Sequence, residues 1–132
     1  MANELIKVEN EMGSWASFKV ETKEEKIMVY NGISNPDKKL ADCIGMTVMV
    51  KDIYVEMSTM VNKETGETDI APRIVLFDKD GHSFQAVSFG IFNALKRIFD
   101  IFGTPETWEG PLGMRVKQIT TGKNKMLTIE IV

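Results

Sequence analysis

The sequence predicts a mainly β protein: a five-stranded barrel with one helix between strands three and four, behind an N-terminal hairpin extension. Three observations predict it. Most of the chain alternates apolar and polar residues between turn signals, one segment from Ile91 to Phe102 switches to helical spacing, and two more alternating segments follow it. The 132 residues suit one domain, 1–132, divided as an extension and hairpin at 1–43 and the barrel at 44–132. With 43% hydrophobic and 27% charged residues, the chain can fill a core and keep it soluble.

Each element has its own signal. Trp15 to Val20 and Lys26 to Tyr30 read as strands around the polar turn Glu21 to Glu25, and Asn31-Gly32 and Asn35-Pro36-Asp37 mark a loop. Ile44 to Val61 is β-branched and Met-rich but too long for an ordinary strand, so a bend or bulge is expected within it. Asn62 to Thr68 is a polar loop. Arg73 to Asp78 and His82 to Phe89 are strands around the hairpin signal Asp80-Gly81. Ile91, Leu95, Ile98 and Phe102 form the helix stripe, widened by Phe92, Ala94, Phe99 and Ile101, with Asn93, Lys96, Arg97 and Asp100 on the wet face. Ser88 caps the start, and Gly103 then Pro105 end it. Leu112 to Thr120 and Lys125 to Val132 are the closing strands. Three strands, a helix and two strands is the order of the OB-type barrel, whose closure leaves no exposed edges and whose helix plugs one end.

Composition removes several function classes. The single cysteine, Cys43, excludes an intramolecular disulfide, and one cysteine with one histidine, His82, cannot make a Cys/His zinc cluster. Asp78-Lys79-Asp80-Gly81 lacks the 12-residue loop and distal glutamate of an EF-hand and reads as turn chemistry. Gly122-Lys123-Asn124 is not a P-loop, and Ser83 and Ser88 lack a nucleophile elbow. The expectation is a non-enzyme with no cofactor and no metal. Met1-Ala2-Asn3-Glu4 is not a signal peptide, and no apolar run approaches the ~18 residues of a membrane span, so the chain reads as soluble, intracellular and off the membrane.

What remains is cations and aromatics on strands. The net charge is −3, but residues 111–132 hold Arg115, Lys117, Lys123 and Lys125 against Glu130 alone. A solvated surface explains each lysine singly. Together they occupy the loop between strands four and five, one of those with which OB-type barrels hold oligonucleotides. With a two-residue turn at Asp80-Gly81, Phe77 faces Phe84 and shares a surface with Arg73, offering two rings for base stacking and a guanidinium for phosphate. The competing reading puts both rings in the core with the register off by one, because a one-residue slip flips every side chain. Tyr30, Tyr54 and Lys51 complete the candidate nucleic-acid-binding set; Trp15 and Phe18 are further stacking candidates, though core packing competes for every aromatic.

These residues resemble the small single-stranded-DNA-binding proteins of protein-primed, short-tailed bacteriophages. The resemblance runs from about Glu25 to Val132. It rests on Lys26-Ile27-Met28-Val29-Tyr30-Asn31, on Asp80-Gly81-His82-Ser83-Phe84-Gln85-Ala86-Val87-Ser88 before the helix, and on a closing hairpin with glycine and lysine at its turn. It implies an OB-fold protein that coats and protects displaced strands during phage replication without sequence preference, stacking bases on tyrosines; Phe84 stands where the pattern has tyrosine. The partners implied are single-stranded DNA and phage DNA polymerase or other replication proteins. The place implied is the cytoplasm of the infected bacterial host, as a monomer or weak homo-oligomer. The alternative is a non-catalytic phage structural or adaptor protein acting through protein–protein contacts. Residues 1–24 lie outside the resemblance.

Overall fold

The computed structural model describes residues 3–132. Among them are three α-helices and seven strands of one curled sheet, rather than five strands and one helix. The elements are α1 (Asn3–Glu11), β1 (Ser14–Ala16), α2 (Lys23–Ser34), β2 (Lys38–Lys39), β3 (Thr47–Val61), β4 (Thr68–Asp78), β5 (Ser83–Val87), α3 (Phe89–Phe102), β6 (Leu112–Thr121) and β7 (Asn124–Ile131).

The expected order survives in β3–β4–β5–α3–β6–β7. The sheet runs β2-β5-β4-β3-β6-β7, with β1 added to β3. All of these pairs are antiparallel except β2 with β5. The expected bulge falls at Lys51, where the β3–β4 register shifts between Val50 and Asp52. It also divides β3's other edge: Thr47–Val50 pair with β6, and Tyr54–Glu56 pair with β1.

The barrel does not close. Lys38 and Lys39 of β2 pair alongside Phe84 and Gln85, so the edge of β5 that would meet β7 is already occupied. The gap is a groove of about 280 Å³ lined by Lys39, Ala41, Gln85, Ala86, Val87 and Leu127. What stands is a curled half-barrel, compatible with an OB-like barrel.

The expected N-terminal hairpin is absent. Only Ser14–Ala16 is strand, and Lys26 to Tyr30 lies inside α2. The reason is local. Thr22 Oγ1 accepts from the Glu25 amide at 3.2 Å while Glu25 Oε1 accepts from the Thr22 amide at 2.9 Å, a reciprocal cap that nucleates a helix. The Thr22 and Glu21 amides, both donating to it, hold the Glu25 carboxyl below its ordinary pKa. Residues before this helix also have a structural role, since Leu5 and Val8 of α1 enter the core.

The core lies between the inner face of the sheet and α3, with Val48, Val50, Ile53, Val55, Ile74, Leu76, Phe84, Met114 and Val116 meeting Ile91, Phe92, Leu95, Ile98 and Phe99. Ser88 caps α3, its Oγ accepting from the Ile91 amide at 3.1 Å. Ile101 and Phe102, expected in the stripe, are exposed at 68% and 44%. Lys96, expected on the wet face, instead lies 3.6 Å from Glu9 and over the Phe92 ring. No helix among the described residues is long and apolar enough to cross a membrane.

Candidate nucleic-acid interface

The β6–β7 hairpin turns through Gly122-Lys123, closed by the pair Thr121 and Asn124. Its inner face is anchored by Met114 and Val116, but residues 117–126 have no core beneath them and are all exposed. They form an arm projecting into solvent. Lys123 and Lys125 near its tip have no ion-pair partner among the described residues, so their charge is available. At its base Arg115 and Lys117 share one carboxylate, with Glu130 oxygens at 3.0 and 3.5 Å. Two cations on one acid leave this exposed cluster net positive, and solvent-exposed pairs of this kind exchange readily because each is worth only about 0–1 kcal/mol.

Register places Arg115 opposite Glu130, Lys117 opposite Thr128 and Ile119 opposite Met126, all on one face. Ile119 and Met126 are 45% and 49% exposed. The sequence reading missed these two. Their signal was positional: once the turn is fixed at Gly122-Lys123, they lie beyond the reach of any core. The arm therefore offers phosphate contacts and an apolar strip for base contact, but no aromatic ring.

The hairpin joining β3 to β4 also projects, with residues 59–70 exposed. Its charge is opposite in sign, one lysine, Lys63, against Glu64, Glu67 and Asp69. Phosphate is disfavoured there. Contact with a strand would rest on exposed Met60, Val61 and Ile70.

The face expected to stack bases is closed. The β4–β5 loop holds three residues, not two. Asp78 donates its amide to the His82 carbonyl at 3.0 Å, and Gly81, at φ 87°, occupies the left-handed position of a bulged three-residue turn. The register slips by one: Phe77 faces Ser83 and Leu76 faces Phe84. Phe84 (8% exposed) joins the inner core, and Phe77 (2%) points to the other face. There Phe77 meets Phe18 edge-on, 5.7 Å between ring centres, and lies under α2 at Gly32. Gln85 fastens the helix from below, its Nε2 donating to the Gly32 and Ile33 carbonyls at 2.8 and 2.6 Å.

The remaining candidates separate. Arg73 pairs with Glu56 at 2.9 Å, and half-buried Tyr54 donates its hydroxyl to the same carboxylate at 2.8 Å. Burial, reinforced by Glu56, pushes Tyr54 up to about 12. Trp15 packs edge-on to Phe99. Lys51 is exposed at the bulge, and Tyr30, 64% exposed, faces solvent on α2. The structure thus puts Arg115, Lys117, Lys123 and Lys125 on one hairpin, with Lys125, opposite Thr120, on the other face from Arg115 and Lys117. It holds Arg73 and Tyr54 in one polar cluster, and Lys51 and Tyr30 belong to neither group.

Asp78, Asp80 and His82 place ligand-type atoms within 4.8 Å of one another. Asp78 Oδ1 is already engaged, accepting from the Asp80 and His82 amides at 2.9 Å each. Burial works to raise the Asp78 carboxyl, but the His82 and Asp80 amides and the His82 ring outweigh it and hold it below its ordinary value. This is the chemistry of the turn itself.

Residues 8–132 match the model of a family described as phage single-stranded DNA-binding protein. The match starts upstream of the resemblance legible from Glu25, taking in part of α1, β1 and the α2 cap. No curated protein and no solved structure matches significantly.

Proposed function

The chain belongs to the phage single-stranded DNA-binding protein family, and from that premise we propose that it coats displaced strands during phage replication, without sequence preference and without catalysis. It acts as one domain, in the cytoplasm of the infected host, alongside the replicating polymerase. The half-barrel serves as an OB-type scaffold. The observation that carries this reading is the β6–β7 arm: ten exposed residues, 117–126, with Lys117, Lys123 and Lys125 and no carboxylate among them. Lysines meet phosphates whatever the sequence, and Ile119 and Met126 give bases an apolar strip that does not distinguish among them. A protein that binds unpaired strands and not duplex shifts melting toward strands by mass action.

The electrostatic part has a numerical consequence. Log affinity for a single strand falls with log salt at a slope near −0.7 per phosphate contact. Replacing Lys123 and Lys125 together by alanine removes two contacts, which should weaken binding to every sequence and make the slope shallower by about 1.4. Affinities measured across a salt series for both proteins check this. An unchanged slope takes the arm out of the site.

The adaptor reading finds its support in α3, where Phe89, Ile101 and Phe102 are exposed. Those residues carry no cation beyond neighbouring Arg97, and they favour a protein contact over a strand.

A further inference from the structure

Helix α2 presents two unlike sides. Its inner side sets Gly32 on the sheet so closely that a Cβ there would lie 2.9 Å from Val75 Cγ1 and 3.1 Å from Phe77 Cζ. Its outward side carries Lys23, Lys26, Ile27 and Tyr30, at the i, i+3, i+4 and i+7 spacing that aligns side chains in one stripe. Ile27 is 49% exposed and Tyr30 64%. Neither lysine has an ion-pair partner among the described residues. The stripe holds no carboxylate. Glu24 stands at the edge of the stripe, about 100° round the helix from Lys23 and about 60° from Ile27, and Glu25 is committed to the cap, accepting from the Thr22 and Glu21 amides at 2.9 and 3.2 Å. With Asn31, these four residues line an open groove of about 470 Å³.

An exposed ring and an exposed aliphatic side chain between two free cations match the chemistry of a single strand, with bases to stack and phosphates to neutralise. We infer that the α2 stripe is a second single-strand contact site, where bases lie on Tyr30 and Ile27 and the flanking phosphates meet Lys23 and Lys26. This rests on the proposed function, and it supplies the aromatic platform that the β6–β7 arm lacks. From Lys23 to Tyr30 the helix rises about 10 Å, enough for about three nucleotides at the ~3.4 Å spacing of a stacked strand. A second copy of the chain is a poorer occupant, because a two-fold contact through this stripe would bury four lysines with no carboxylate on the stripe to pair them.

The test uses the full chain, with oligothymidylate as probe. Tyr30→Ala should weaken binding about 5- to 100-fold and Tyr30→Phe should not, since stacking needs the ring and not the hydroxyl. Both should keep the wild-type unfolding midpoint. Lys23→Ala with Lys26→Ala should make the salt slope shallower by about 1.4. Independently of any variant, photocrosslinking of wild-type protein to an iododeoxyuridine-substituted oligonucleotide should label the peptide containing Tyr30. Wild-type affinity in Tyr30→Ala, with binding still weakened by the Lys123/Lys125 double variant, overturns the inference and leaves the proposed function standing. So does a change in sedimentation without a change in DNA affinity, which would make the stripe a self-association surface. A wild-type protein that binds no oligonucleotide removes the reading on which both rest.

Discussion

Phe77 and Phe84 show how much a single turn residue decides. The sequence contains both strands and the hairpin between them, and all three form. It does not show whether Asp80-Gly81 makes the whole loop or Lys79 joins it. Gly81 in the left-handed region selects the three-residue loop, and the slip sends the two rings to opposite faces of the sheet. Both become packing residues, so truncation should act on stability. Phe77→Ala and Phe84→Ala are each expected to cost roughly 3–5 kcal/mol of unfolding free energy, with little change in DNA affinity per folded molecule. Denaturant unfolding and oligonucleotide titration on the same variants check this. A DNA-binding loss with normal stability would return the rings to the interface. The four cations of the last hairpin were legible because exposed lysines around a glycine turn need no tertiary information. The partner shared by Arg115 and Lys117 was not, because Glu130 reaches both only across the strand pair.

At the scale of elements, α3 was legible and α2 was not. In α3 the buried apolar residues Ile91, Phe92, Leu95, Ile98 and Phe99 recur on a helical period, and both caps are in the sequence. In α2 the apolar residues face outward as well as inward, so Ile27, Val29 and the aromatic Tyr30 read as a β-branched strand. The counter-signal was Thr22-Lys23-Glu24-Glu25, a capping-box spacing just ahead of the apolar run. Two helix glycines then fix how the elements dock. A Cβ at Gly90 would strike the Leu127 carbonyl oxygen of β7, a backbone atom with little freedom to yield. Alanine gains up to about 1 kcal/mol over glycine in a helix interior, but overpacking costs about 1–3 kcal/mol. Gly90→Ala should therefore lower the unfolding midpoint despite the better helix former, and hydrogen exchange should show the loss of protection concentrated in β7. A raised midpoint would mean that β7 is free to move away from α3.

For the whole molecule, the order of strands and helix was readable and the closure was not. Barrel closure depends on which strand takes the free edge of β5. The two-residue β2 takes it, and no periodicity marks so short a strand. The overall charge of −3 argues weakly against a DNA partner. Its distribution reverses that argument: nine of the nineteen acids lie in α1, around the α2 cap and at the β3–β4 tip, while the β6–β7 arm (117–126) and the α2 stripe carry lysines as their only charged residues. Both surfaces set exposed apolar or aromatic side chains beside lysines, which suits an unpaired strand with exposed base faces. The most direct measurement is an equilibrium titration, at one fixed salt concentration, of the protein with single strands of several sequences and with duplexes of the same length. The account predicts affinities for all single strands within a few-fold of one another, and far weaker binding to every duplex. Equal affinity for single strand and duplex, or binding confined to one sequence, would contradict it.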